Sequence, residues 1–246
     1  MLMLTVSDLT VEYADGTRAI ESVSFAVAPG ESVALIGANG AGKTTLLLAL
    51  VGVLLPKTGE IRLGSANADN AGAQSVIISA RTSKDTLREV RSRIGVVFQN
   101  PDDQLFMPSI YEDVAFGPRS FGCDEAEAQR RAHTALTQLG INHLAERSPL
   151  KLSGGEKRLA AIATVLSMEP EYLLFDEPTA FLDPRAKRNL AAVISELPQG
   201  KIIATHDLAF AEKVCSRVLL LQNGKLIEDG SMNILRDAEK LEAAGL

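Results

Sequence analysis

Gly37-Ala38-Asn39-Gly40-Ala41-Gly42-Lys43-Thr44 fits the spacing G-x-x-x-x-G-K-[ST]. It lies between the apolar run Ser32–Ile36 and the helix-forming run Thr45–Val51. A strand before the loop and a helix after it are the context in which this spacing cradles phosphate. Gly37, Gly40 and Gly42 let the backbone curl so that successive N–H groups converge on phosphate oxygens, aided by the positive end of the following helix. On this reading Lys43 neutralises the β- and γ-phosphates of ATP and Thr44 ligates Mg²⁺ through its hydroxyl. Ala38, Asn39, Ala41 and Thr45 complete the lining. A glycine-rich turn with a solvated lysine is the bland alternative, and it leaves the two matching flanks unexplained.

Downstream, Tyr172-Leu173-Leu174-Phe175-Asp176-Glu177 is an apolar run ending in two acids, so a buried strand would deliver both carboxylates to the sheet's carboxyl edge. Asp176 then binds Mg²⁺, and Glu177 is the general base that polarises the attacking water. Acids after a strand also serve as helix caps; beside a phosphate loop the catalytic reading is the stronger one.

Further short apolar runs at Ile94–Phe98 and Lys201–Ala204 alternate with helical segments, the pattern of an α/β core with a mainly parallel buried sheet. Before Pro29, strand-like Leu4–Tyr13 and Ser22–Val27 flank a turn at Asp15-Gly16 and predict an antiparallel β-subdomain. The charged, alanine-rich run Asp124–Leu139 and a helix from after Gly155 through Met168 predict a helical subdomain, roughly residues 100–168, inserted in one domain that spans 1–246. Val218–Gln222, Asn223-Gly224 and Lys225–Glu228 read as a β-hairpin. The stretch from about Ser65 to Asp85, rich in Ala, Ser and Asn, reads as a surface loop or an added hairpin.

Lys and Arg number 25 against 31 Asp and Glu, a net charge of -6, which disfavours nucleic acid as a partner. Cys123 and Cys215 form no metal-ligand pattern and read as reduced thiols of a cytosolic protein. No apolar stretch reaches the ~20 residues that span a bilayer. Met1–Leu9 carries Asp8 and lacks a basic start, so it does not read as a signal peptide.

Leu152-Ser153-Gly154-Gly155-Glu156 resembles the signature motif of the ATP-binding cassette family, which separates the chain from other P-loop NTPases. That resemblance implies a P-loop NTPase core in which the signature of one subunit closes over ATP held by the phosphate loop of a second ATPase subunit. It also implies roles for Gln99 (the glutamine loop, sensing Mg²⁺), Asp183 (a loop crossing the dimer interface), His206 (a switch histidine at the γ-phosphate) and Tyr13 (stacking on adenine). Each has an ordinary structural reading, but together they occur in the family's order. His133 and His143 match nothing and read as surface residues. Glu156 stands where glutamine is commoner, Leu159 where many relatives have arginine, and Phe181 replaces a small residue.

Gln99–Phe106, continuing through Ser109–Pro118, looks like the ATPases of energy-coupling factor importers, which take up vitamins and transition-metal ions; Leu152–Ala163 and Glu177–Arg185 lean towards the cobalt and nickel importers. The resemblance implies a peripheral ATPase at the cytoplasmic face of the membrane, docked on integral membrane subunits. Asp102, Asp103, Glu112 and Asp113 interleaved with apolar Leu105, Phe106 and Met107 suggest the docking groove, with Val114 and Phe116 packed inside. A homodimer suffices and a heterodimer is compatible. Soluble cassette proteins of translation or repair are the alternative class; two fused cassettes or long insertions, their usual marks, are absent from the sequence. A nucleotide kinase is disfavoured by Ser153-Gly154-Gly155 and His206.

Overall fold

The computed structural model describes residues 2–65 and 75–245. The chain begins with β1 (Leu2–Glu12), β2 (Arg18–Val27) and β3 (Ser32–Ile36), followed by α1 (Lys43–Leu50) and β4 (Thr58–Ser65). Next come β5 (Val76–Ile78), α2 (Lys84–Arg93) and β6 (Ile94–Val97), then the helices α3 (Ile110–Ser120), α4 (Glu125–Gln138) and α5 (Gly154–Leu166). The remainder is β7 (Tyr172–Asp176), α6 (Pro184–Glu196), β8 (Gly200–Ala204), α7 (Leu208–Val214), β9 (Arg217–Gln222), β10 (Lys225–Ser231) and α8 (Ala238–Ala243).

Two sheets result. The larger has the order β10-β9-β3-β8-β7-β6, parallel except for the antiparallel β10 edge. The smaller, β2-β1-β4-β5, is antiparallel throughout. This is the α/β P-loop NTPase core with an antiparallel sheet and helical insertions.

Side-chain alternation sorts each core strand between two hydrophobic clusters. Val33, Leu35, Leu174, Ile202, Leu219 and Leu221 face α1 and the small sheet. Ala34, Ile36, Leu173, Phe175, Ile203, Val218 and Leu220 face the helices α3–α7. Both faces are covered, which is why β7 and β8 are buried at every position and are apolar apart from Asp176 at the end of β7 and Lys201 in β8.

The stretch read as loop or hairpin from Ser65 onward contributes β5, whose Ile78 pairs with Ile61 of β4, and its later part opens α2, capped by Ser83. Residues 66–74 of that reading lie outside the described residues. His133 and His143 are exposed as read. Burial pushes the Cys215 thiol up to about 12, which keeps it inert.

Tyr172 joins the two sheets. Its buried hydroxyl donates to the Val27 carbonyl (2.9 Å) and accepts from the Leu4 N–H (3.1 Å). Tyr172→Phe should therefore lower stability by about 1–3 kcal/mol, since it leaves buried polar groups short of a partner. A urea denaturation midpoint unchanged from wild type would remove this bridge from the account.

Candidate active site

The phosphate loop closes between β3 and α1 because two positions admit no side chain. A Cβ on Gly37 would lie 2.3 Å from the Leu221 carbonyl oxygen. At Gly42 φ is +105°, and a Cβ there would meet the Ala19 carbonyl oxygen at 2.6 Å. The β9–β10 turn is fastened beneath, with Gly224 N–H donating to the Ala41 carbonyl (2.9 Å) and Glu21 N–H to that of Gly224 (2.9 Å).

Lys43, at the first turn of α1, is buried and bends back over the loop to donate to the carbonyls of Gly37 (2.6 Å) and Ala38 (3.1 Å). Burial lowers its pKa, opposed by the charges of Glu177 and Asp176. Thr44 Oγ1 donates to Asp176 Oδ2 at 2.7 Å, joining the loop to the end of β7. Burial raises the Asp176 pKa against that hydrogen bond.

Glu177 follows with φ +43°, a left-handed conformation uncommon for a residue with a side chain. Its Oε2 lies 2.9 Å from His206 Nδ1 and accepts from Thr205 Oγ1 (3.2 Å) and His206 N–H (3.4 Å). Its Oε1 is 3.9 Å from Lys43 Nζ. His206 is itself exposed and hangs at the mouth. Tyr13 is exposed on one face, and its hydroxyl shares a 2.6 Å hydrogen bond with Thr45.

These groups converge on one cleft of about 660 Å³. Tyr13, Asn39, Gly40, Gly42, Lys43, Thr44 and Thr45 form one wall, and Gln99, Asp176, Glu177 and His206 another. Gly37, Ala38 and Ala41 form the loop beneath. Thr17, Arg18, Asn223 and Gly224 also line the cleft. Sequence reasoning missed them because two remote turns bring them there; only their proximity to Tyr13 and to an Asn-Gly turn marked them.

Could the site hold Mg²⁺? Thr44 and Asp176 present a hydroxyl and a carboxylate oxygen in contact, both hard donors, and Gln99 lines the same cleft. Among the described residues no group of three His, Cys, Asp or Glu gathers. That donor set suits Mg²⁺, which is held by one or two protein oxygens together with substrate phosphates rather than in an all-protein cage.

The Ser153 motif lies elsewhere. Ser153, Gly155, Glu156 and Asp183 line a separate cleft of about 230 Å³ that shares no residue with the first. Leu152 is buried below it. Ser153 caps α5, and Glu156 completes a capping box: its Oε2 accepts from the Ser153 N–H (2.8 Å) and hydroxyl (2.7 Å). Those hydrogen bonds hold the Glu156 carboxyl below its ordinary pKa, so it is an anion beside Ser153. Asp183 caps α6, accepting from Arg185 and Ala186 N–H at 2.8 Å each. Phe181, at φ +62°, is 93% exposed on the same side.

The expected docking segment needs correction. Leu105 is buried in the core and Asp113 is 3% exposed, its Oδ1 accepting from the N–H groups of Phe106 and Met107 at 3.0 Å. Asp102 is paired with Lys157 and Glu112 with Arg119. Phe116, expected inside, is exposed and meets the exposed Phe106 edge to face, centroids 5.1 Å apart. Val114 is buried as expected.

Comparison with known proteins places these features in context. Residues 20–180 match the ABC transporter family model. A Geobacter sulfurreducens protein described as an ABC transporter ATP-binding protein is 47% identical over 93% of this chain and 86% of its own length. The energy-coupling factor transporter ATP-binding protein EcfA of Methanothermobacter thermautotrophicus is 41% identical over 99% of this chain and 76% of its own. The structure of cbiO1 from Clostridium perfringens, part of the ABC transporter complex cbiONQ, superposes with a TM-score of 0.81 at 36% identity, over 97% of this chain and 92% of that one. A dimeric bacterial ABC transporter cassette superposes with a TM-score of 0.76 at 25% identity, over 93% of this chain and 98% of that one.

Proposed function

This chain belongs to the ABC transporter family as an ATP-hydrolysing subunit of the energy-coupling factor type, and from that premise we propose that it energises import of a transition-metal ion, cobalt or nickel, or of a vitamin. The carrying observation is the convergence of the phosphate loop, the Thr44–Asp176 pair and the Glu177–His206 pair in one cleft.

The adenine base stacks on the Tyr13 ring. Incoming phosphates replace the carbonyls of Gly37 and Ala38 as partners of Lys43, relieving the cost of holding that ammonium in a buried site. Thr44 and Asp176, with Gln99, would hold Mg²⁺, which would neutralise charge on the bound phosphates. Glu177 orients and deprotonates the attacking water, and His206 fixes Glu177 from one side while reaching the γ-phosphate from the other.

A second copy of the chain supplies Ser153–Glu156 to the open side of the triphosphate. The separate clefts support this, as does Phe181, a large apolar side chain left on the surface beside Asp183. Among the described residues no helix is long and apolar enough to cross a membrane. As a subunit of the energy-coupling factor type the chain works peripherally on the cytoplasmic face, moved against membrane subunits by its helical part, roughly residues 100–168. The cargo assignment rests on the likeness of Gln99–Pro118, Leu152–Ala163 and Glu177–Arg185 to importers of that kind.

Membrane docking falls to the Phe106–Phe116 pair with Met107, and to Asp103 at its rim as the acid that meets a basic partner residue. Phe106→Ala combined with Asp103→Lys should release the subunit from its membrane chains in a detergent pull-down, while the isolated protein binds ATP within about 2-fold of wild type, as expected for a change remote from the cleft. A double mutant that stays bound and still supports transport places docking elsewhere.

A further inference from the structure

Arg158 is a charged side chain with 1% exposure, on the first turns of α5, just after the Ser153–Glu156 motif. A buried guanidinium is costly unless its donors are satisfied. Its donors go to backbone: Nη1 to the Phe98 carbonyl and Nη2 to the Gln99 carbonyl, both at 2.6 Å. Among the described residues its Nε finds no acceptor. Burial lowers its pKa to about 10, opposed by the Asp176 charge. An arginine that merely filled the core could be replaced by an apolar residue of similar size at little loss. This one grips the backbone carbonyls of Phe98 and Gln99, the two residues that follow β6.

Neighbouring contacts make the grip directional. Lys157 pairs with Asp102 at 2.6 Å. Gln104 donates to the Ala161 carbonyl (2.8 Å) and the Thr164 hydroxyl (2.7 Å), and accepts from Phe98 N–H (3.3 Å). The segment from Phe98 to Gln104 is thus fastened to successive turns of α5, with Arg158 at the end nearest both Gln99 and the Ser153 motif.

We propose that Arg158 is a positioning residue that locks the Gln99 backbone to the signature-bearing helix, so that Gln99 entering the nucleotide cleft and Ser153 reaching a second chain's ATP are one displacement. This rests on the roles of Gln99 and Ser153 proposed above. A shift of Phe98 and Gln99 along the cleft that left α5 behind would break two short charge-assisted hydrogen bonds to a buried guanidinium.

The test is a double-mutant cycle in the full chain, read by turnover and by ATP-driven dimerisation in a Glu177→Gln background. R158Q should lower turnover and weaken dimerisation by about 10- to 100-fold, the range for losing buried hydrogen bonds to a charged group, with ATP affinity of the monomer within about 3-fold. R158K keeps the charge and reaches one carbonyl at a time, so it should recover most of both losses. Adding R158Q to Q99A should reduce neither reading further, because a lock that transmits the engagement of the Gln99 side chain to α5 has nothing to transmit once that side chain is gone. A double mutant whose losses multiply overturns the proposal, since a purely structural arginine acts independently of the glutamine. Wild-type dimerisation by R158Q overturns it as well. Should R158Q not fold, R158K decides: its smaller loss must vanish in the Q99A background. A Q99A protein with wild-type turnover removes the role of Gln99 itself, and that of Arg158 with it.

Discussion

Glu177→Gln is expected to bind ATP as the wild type does and to lower turnover by about 10²–10⁴-fold, the range for loss of a general base. Glutamine keeps the shape of the side chain, and its carbonyl oxygen can still accept from Thr205 and His206, which hold Glu177 Oε2 at 3.2 Å and 2.9 Å. It cannot take a proton from water. The proposed phosphate contacts lie on the loop and on Lys43, which the substitution does not alter. Removing a carboxylate 3.9 Å from Lys43 takes away one negative charge near the γ-phosphate position, so nucleotide affinity should hold or rise. The left-handed backbone at Glu177 is consistent with a residue held in strain for its position. Phosphate release and nucleotide affinity measured on the same preparation check both halves; near-normal turnover removes Glu177 from the role of base.

Much of this site was legible because it is built from local sequence. The phosphate loop carries both of its flanks, and Tyr172–Glu177 carries strand and acids together, so strand, turn and chemistry sit within a few residues of one another. The runs Ser32–Ile36 and Lys201–Ala204 were legible as strands because burial on both faces leaves nothing but apolar or small residues along most of their length. The Asn223-Gly224 turn was legible from its dipeptide, and both residues have the positive φ that such a turn requires.

What was not legible depends on contacts distant in sequence. No local pattern places β9 beside β3, or brings Thr17 and Arg18 to the cleft mouth. Leu105 and Phe106 are adjacent and both apolar, yet Asp113 turns the chain between them so that one is core and the other surface. Arg158 was readable in principle: with Ala161, Ile162 and Val165 it falls on one helical face, and that face is buried. A basic residue on an apolar stripe is the signal. The helix α2 was passed over because Leu87 and Val90 are its only large apolar residues, although Ser83 followed by Asp85 marked its start.

The second large effect is assembly. On the proposed reading each triphosphate site is completed by the Ser153 motif of a second copy, since within one chain the two clefts share no residue. The Glu177→Gln protein should therefore be monomeric without nucleotide and dimeric with ATP and Mg²⁺. Closure must also turn the Ser153 hydroxyl from Glu156, 2.7 Å away, towards phosphate, so the capping box loosens as the dimer forms. Conversely, Ser153→Arg should block closure by filling the small cleft, while Lys43→Ala should lose the triphosphate contact. The decisive measurement mixes these two defects in the Glu177→Gln background and counts ATP retained by the dimer fraction. A shared site predicts that neither Lys43→Ala nor Ser153→Arg protein alone dimerises with ATP, while their mixture forms a dimer holding ATP at the one site that combines an intact Lys43 loop with an intact Ser153 motif. A mixture as empty and monomeric as its components, or a Ser153→Arg protein that closes on ATP by itself, would contradict an ATP site built from two chains.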